Sequence, residues 1–442
     1  MTAPAPKRLL WLLAPVAAFA ATLALLNAVQ GGGGAPAPAV FDRPGPALVD
    51  VPPNASTAET IVATRAAIAK EPGDAALRAT LGDLYYQRGR ETANAIWNEK
   101  AHEAYQRALE LDPQSAQATN GLGTLALAKH DFAGGLLYAQ QALALAPYSV
   151  RPYSAIVDGQ VELGRYRAAG RSLDRMVSLK PNLASYARIS YFRELHGDLD
   201  GALDAMRLAV SAGGGSAENV AYVETLLGNL QFQRGEISHA EEAYRTALAR
   251  VPEYLPARTG LATVGGAQGD LDTAIRRYKS VVHTSAVHEF HLLLLEAELA
   301  DGRYATARRE IASIRGYQAL ERSRGVNTDA ELAIFEADHG SATRAVELGR
   351  SAVRKAPSVS SADAYSWALT AAGNGERALH WAKRALRTGG RDPHVRYHAG
   401  MAAKLAGART LARRWLTQAL ALNPYFSPLH APRAQRALAS LG

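Results

Sequence analysis

Apolar stretches close on proline at a fixed interval along this chain. LELDP, LALAP and VSLKP end at Pro113, Pro147 and Pro181, 34 residues apart each time, and the ending returns as LARVP at Pro252, VRKAP at Pro357 and LALNP at Pro424. Between these endings fall turn signals: Arg88-Gly89-Arg90, His130-Asp131, Leu163-Gly164-Arg165, His196-Gly197-Asp198, Arg234-Gly235-Glu236, Gln268-Gly269-Asp270, Asp301-Gly302-Arg303 and Asn374-Gly375-Glu376. Each period therefore holds two helices, with a glycine or polar turn between them and a proline stopping the second. Units drawn on this pattern begin near residues 75, 116, 150, 183, 221, 255, 288, 326, 359 and 393.

A different pattern occupies the amino end. After Lys7-Arg8, the run Leu9 to Val29 carries no charge for 21 residues, and the next charge is Asp42. At 1.5 Å per helical residue that run matches a hydrocarbon core of roughly 30 Å. Two readings are open, a cleavable secretory signal and an uncleaved signal-anchor; Lys7 and Arg8 set the same orientation for both, with the bulk of the chain outside the cytoplasm. The length of the run and the lack of small residues at cleavage spacing favour the anchor. The expected localisation is a single-pass cell-membrane protein with its array on the extracytoplasmic side, or, after cleavage, a secreted one. Residues 31–55, GGGGAPAPAVFDRPGPALVDVPPNA, read as a flexible, Gly/Pro-rich linker.

The unit between Tyr222 and Pro252 shows the repeat most fully: Gly228, Ala240, Tyr244, Ala247 and Pro252, at offsets 12, 16, 19 and 24 from the glycine. The last unit repeats those offsets with Gly400, Ala412, Leu416, Ala419 and Pro424. This pattern resembles the tetratricopeptide repeat family, in its bacterial membrane-anchored or exported form, whose unit is a pair of antiparallel helices, A and B. Small residues let the helices approach and the aromatic or Leu fills the space beside them. The resemblance implies an all-α solenoid of about ten helix-turn-helix repeats over 56–430, after a signal or anchor helix at 1–30 and the linker at 31–55, with a capping helix at 431–442. Thr57 to Lys70 reads as a lone helix closing the amino end. Some units depart from the pattern: the first carries about seven extra residues around Ile96-Trp97, the third, fourth, seventh and eighth lack the early glycine, and Gly213-Gly214-Gly215 stands where the fourth should end in proline.

Composition agrees with helices and narrows the chemistry. Aromatics are 7% and cysteine is absent, so disulfides, thiolate metal ligands and a cysteine nucleophile are excluded. The net charge of +8 is dispersed among interleaved acidic and basic residues. Nucleic acid, which wants a concentrated basic stripe, is not an expected partner. Neither glycine-rich stretch is followed by the Lys-Ser/Thr of a phosphate loop, and no Gly-x-Ser-x-Gly elbow occurs. The expectation is a chain without catalysis, cofactor or metal.

On the register of the family, the concave wall is lined by helices A, and the residues expected there are Arg151, Asp158, Arg188, Tyr191, Tyr222, Asn229, Trp367, His394, Tyr397 and His398. A polar wall with scattered aromatics suits a peptide or helix of a partner protein; the competing reading is that these aromatics pack between units. The family's carboxylate clamp is not present, since Asn229 stands without its Lys and Arg companions. His394 and His398, four apart, would share a helix face and answer to pH, while His283, His288 and His291 form a second cluster; neither has the convergent carboxylates of a metal motif. Three functions follow: a membrane-tethered interaction scaffold, an exported ion- or small-ligand-binding protein using the His-rich helices, and a non-catalytic subunit of an envelope enzyme assembly.

Overall fold

The computed structural model describes residues 49, 55–92, 94–213, 217–285 and 287–442; the predicted membrane run and most of the linker lie outside them. The described residues form twenty-two α-helices and no strand. A single helix, α1 (Thr57–Lys70), precedes the pairs α2 (Ala75–Thr92) and α3 (Ile96–Leu111), α4 (Ala116–Ala128) and α5 (Phe132–Leu145), α6 (Arg151–Glu162) and α7 (Tyr166–Leu179), and α8 (Leu183–Leu195) and α9 (Leu199–Ala212). Then come α10 (Ala217–Gln233) and α11 (Ile237–Arg250), α12 (Leu255–Ala267) and α13 (Leu271–Val282), and α14 (His288–Ala300) and α15 (Tyr304–Ser323). The last pairs are α16 (Asp329–His339) and α17 (Ala342–Lys355), α18 (Val359–Ala371) and α19 (Gly375–Ala385), and α20 (Pro393–Leu405) and α21 (Arg409–Leu422), closed by α22 (His430–Ala439). No described helix is long and apolar enough to cross a membrane.

The start of every helix A falls within four residues of its predicted position. One turn does not: Gly89 lies inside α2, which runs on to Thr92, so the seven extra residues of the first unit lengthen a helix and its turn to α3. In four units the turn is fixed twice over. Asp131, Asp198, Asp270 and Asn374 each accept from a backbone N–H three residues on, capping helix B. The residue before each cap has positive φ: Gly197, Gly269 and Gly373, and in the second unit His130 at 57°.

The repeat spacing is set by ring-on-glycine packing. A Cβ on Gly82 would meet the Tyr105 ring at 2.5 Å, and one on Gly121, in the next helix A, would meet the same ring at 2.2 Å. Tyr244 sits in the same way between Gly228 and Gly260, at 2.6 and 2.5 Å. Each tyrosine hydroxyl is then satisfied by the residue after the first small one: Tyr105 donates to Asp83 at 2.8 Å, Tyr244 to Asn229 at 2.8 Å, and Tyr278 pairs with Thr263 at 2.8 Å. Where Leu416 replaces the tyrosine against Gly400, the next residue is the apolar Met401.

The described chain divides into two compact units, one holding Ala205–Val223 and the residues from 55 to Ile189, the other Ser190–Asp204 and Glu224–Gly442. In the second unit, packing joins repeats far apart in sequence. Gly197 abuts Gly389, and Gly235 abuts Leu422. Asn423 donates to the Phe232 carbonyl at 2.6 Å, and Gln233 donates to Asp392 at 3.3 Å.

Candidate functional site on the helix A face

Helices A are stacked so that equivalent positions of successive repeats face each other. In the first unit this stacking pairs Asp158 of α6 with Arg188 of α8. The guanidinium donates twice, at 2.9 and 2.7 Å, and a third time to the Ala184 carbonyl at 3.1 Å. Both side chains are buried, and burial pushes the Asp158 carboxyl above its usual range against the pull of Arg188. Arg151, half-buried, pairs with Asp83 at 2.7 Å, and Asp83 also accepts from Gln117 at 2.9 Å. Tyr222 is buried with the Arg90 guanidinium 5.9 Å from its ring centre. Arg90 in turn donates to Glu218 at 2.7 Å and to Asn219 at 3.1 Å, and Gln87 donates to Glu218 at 3.1 Å. These bonds tie α2 to the start of α10.

In the second unit the helix A face is denser. Trp367 of α18 is buried, donates to Asp338 of α16 at 3.0 Å, and stacks on His398 of α20 with ring centres 4.3 Å apart. His398 Nδ1 contacts Asp363 at 2.8 Å. Tyr397, fully buried, stacks on His430 of α22 at 5.0 Å. Ser427 donates to Glu296, and its hydroxyl accepts from the His430 backbone N–H at 2.9 Å. Burial dominates the ionisation of this set: Asp338 is held well above the carboxylate range, Glu296 is raised to about 7, and His430 lies well below the imidazole range. His394, edge-on to Phe426 at 4.9 Å, is lowered to about 3, first by burial and then by His398.

Seven of the ten residues expected on an open wall are therefore buried: Asp158, Arg188, Tyr191, Tyr222, Trp367, Tyr397 and His398. Packing between repeats accounts for their position. Arg151 and His394 are half-buried, and Asn229 is exposed while holding the Tyr244 hydroxyl. The histidine expectations change as well. His394 does not titrate near neutral pH, and it turns to Phe426 while His398 turns to Asp363. In the other cluster His283 is exposed, His291 contacts Glu310 at 2.8 Å, and His288 contacts Glu321 at 2.9 Å.

His288, Glu289 and Glu321 bring three potential ligand atoms within 4.8 Å of one another. Burial alone would lower His288, but Glu289, Glu321 and Glu331 outweigh it and raise the imidazole to about 9. Carboxylates therefore do converge on this histidine cluster, contrary to the expectation from sequence, because Glu321 of α15 is brought against His288 and Glu289 of α14. Sequence reasoning passed over the partners Asp83, Glu218, Glu296, Asp338, Asp363 and His430. For two of them the signal is periodic, since Asp83 and Gln117 are 34 apart and Asp363 and His398 are 35 apart.

The tetratricopeptide repeat profile matches residues 98–150, 225–282 and 259–316. Over 226 residues the chain is 26% identical to cellulose synthase 1 operon protein C of Komagataeibacter xylinus, a match taking in 48% of this chain and 15% of that protein. The chain thus spans a small part of that relative's length. Among solved structures, a human IFIT1 dimer with PPP-AAAA aligns at TM-score 0.47 and 14% identity, over 83% of this chain and 86% of the other. The pilF protein of Pseudomonas aeruginosa aligns at 0.35 and 20% identity, over 48% and 91%. At these scores the alignments are too loose to bear on function.

Proposed function

This chain is a tetratricopeptide-repeat protein, and from that premise we propose that it is a non-catalytic interaction scaffold, tethered to a membrane, that holds a protein or peptide partner. The observation that carries the reading is the repeat array: ring-on-glycine packing and hydrogen bonds between successive repeats recur through both units, a construction that presents a rigid surface to a partner. The tether is the uncharged run Leu9 to Val29 behind Lys7-Arg8, with the array on the extracytoplasmic side and residues 31–55 as the stalk. Protease added to intact cells should then degrade the array; protection of the array would remove the exported topology.

Crosslinking of the full-length chain in its native membranes, followed by mass spectrometry, tests the scaffold itself. One dominant protein partner is expected, with no nucleic acid recovered beyond background. Failure to enrich any protein over an unrelated membrane protein of equal abundance would sink the reading.

A second reading has one observation in its favour. The 26% identity to a cellulose synthase operon protein supports a role as the non-catalytic subunit of an envelope enzyme assembly. It predicts that the captured partner is a polysaccharide-synthesising enzyme, and recovery of partners without enzymatic activity would count against it.

A further inference from the structure

The longest described helix, α15, has 20 residues against the 13 of its partner α14, and its last turns bring Glu321 to His288 at the start of α14. Between these turns and the α16–α17 hairpin opens a cleft of about 630 Å³. Arg315 and Arg322 of α15 and Arg344 of α17 line it, opposed by the single carboxylate of Glu336. Glu336 is already engaged: it accepts from the Ser341 backbone at 3.0 Å and lies 3.5 Å from Arg344 and 3.9 Å from Arg315. The cleft therefore keeps an excess of positive charge. Gln318 also lines it, with a side chain only 1% exposed and neither its amide oxygen nor its amide nitrogen hydrogen-bonded. A buried amide with both ends unpaired costs free energy that a ligand can recover.

We propose that this cleft binds an acidic peptide segment, with the Gln318 amide pairing both the C=O and N–H of a peptide bond and Arg315, Arg322 and Arg344 receiving its carboxylates. A side-chain amide offers one donor edge and one acceptor edge, the complement of a backbone amide. Guanidinium forks match carboxylates spaced along a chain. The Glu336 carboxylate on the cleft wall repels a compact polyanion more than it repels dispersed single charges. Most of its lining comes from helices B, with Leu332 and Glu336 of α16 completing the wall. The proposal rests on the scaffold reading.

Fluorescence polarisation of a fluorescein-labelled hexaglutamate peptide with the full-length protein tests it. Saturable binding is expected, weakened at least about tenfold in Arg322→Glu/Arg344→Glu, the loss of one charge-assisted contact or more. Arg171→Glu/Arg175→Glu, exposed in the other unit, should leave it unchanged. Gln318→Met keeps the volume and removes the unpaired amide, so it should weaken binding while thermal stability holds or rises, a combination that a merely structural glutamine would not give. Equal loss in both arginine pairs, unaltered binding in Gln318→Met, or displacement by inorganic triphosphate at concentrations where unlabelled peptide fails would each overturn the proposal. A null result here together with a partner captured in membranes would remove this cleft and leave the scaffold standing.

Discussion

A tyrosine ring between two glycines is the smallest part of this molecule that decides its form. Gly228→Ala puts a methyl 2.6 Å from the Tyr244 ring, where helix backbones on both sides leave little room to yield. The expected cost is about 1–3 kcal/mol. Gly316, in the middle of α15, has nothing within 4 Å of the place an alanine methyl would take, so Gly316→Ala should stabilise by about 0.5–1 kcal/mol. Urea denaturation of the two variants checks the pair, and equal effects would show that ring-on-glycine contact does not set the spacing. Asp158 and Arg188 make a sharper case. Arg188→Met strands a buried carboxylate and should cost about 3–5 kcal/mol, whereas Arg188→Met with Asp158→Leu should recover most of that loss. A double variant no more stable than the single one would deny the coupling.

At the level of helices, the ends were legible in the sequence and the faces were not. Proline endings and Gly-Asp turns mark where helices stop and start, because both act locally through φ and a side-chain cap. Exposure is different, since whether Trp367 or Tyr397 looks outward depends on Asp338 and His430, which lie 29 and 33 residues away on other helices. The same non-local chemistry governs pH response. Glu194 of α8 is raised to about 8, by burial first and then by Asp392 at the cap of α20, which is itself raised to about 6, mainly by burial; Gln233 of α10 pulls Glu194 the other way. Unfolded carboxyls release their protons near pH 4, so the folded form holds the extra protons up to these values. Their contribution is complete at the acid end and is lost as pH rises through 6 and then 8. His288, raised to about 9, acts in the same direction above its unfolded value near 6.5. Melting temperature should therefore fall between pH 6.5 and 9, and Glu194→Gln should make that fall shallower. An unchanged slope would remove Glu194 from the account.

Across the whole molecule, the repeats are not interchangeable beads. Deleting residues 221–254 removes Tyr244 and leaves Gly260 without its ring, and it also takes away Phe232 and Gln233, which hold Asn423 and Asp392. A single cooperative melt should be replaced by separate transitions or by unfolding; a deletion variant that still melts in one sharp step would contradict this. The bonds from Phe232 to Asn423, from Gln233 to Asp392 and from Glu296 to Ser427 span 191, 159 and 131 residues. In a simple solenoid every contact is near in sequence, so assembly can start at any repeat and spread by small steps. Here those three closures each require a long loop of chain to be brought together first, at an entropic cost that rises with loop length. The meeting of distant repeats is therefore expected as a slow refolding phase after the individual hairpins have formed, and until it occurs Leu422 stays apart from the Leu199, Leu203 and Leu230 cluster it packs against in the folded chain.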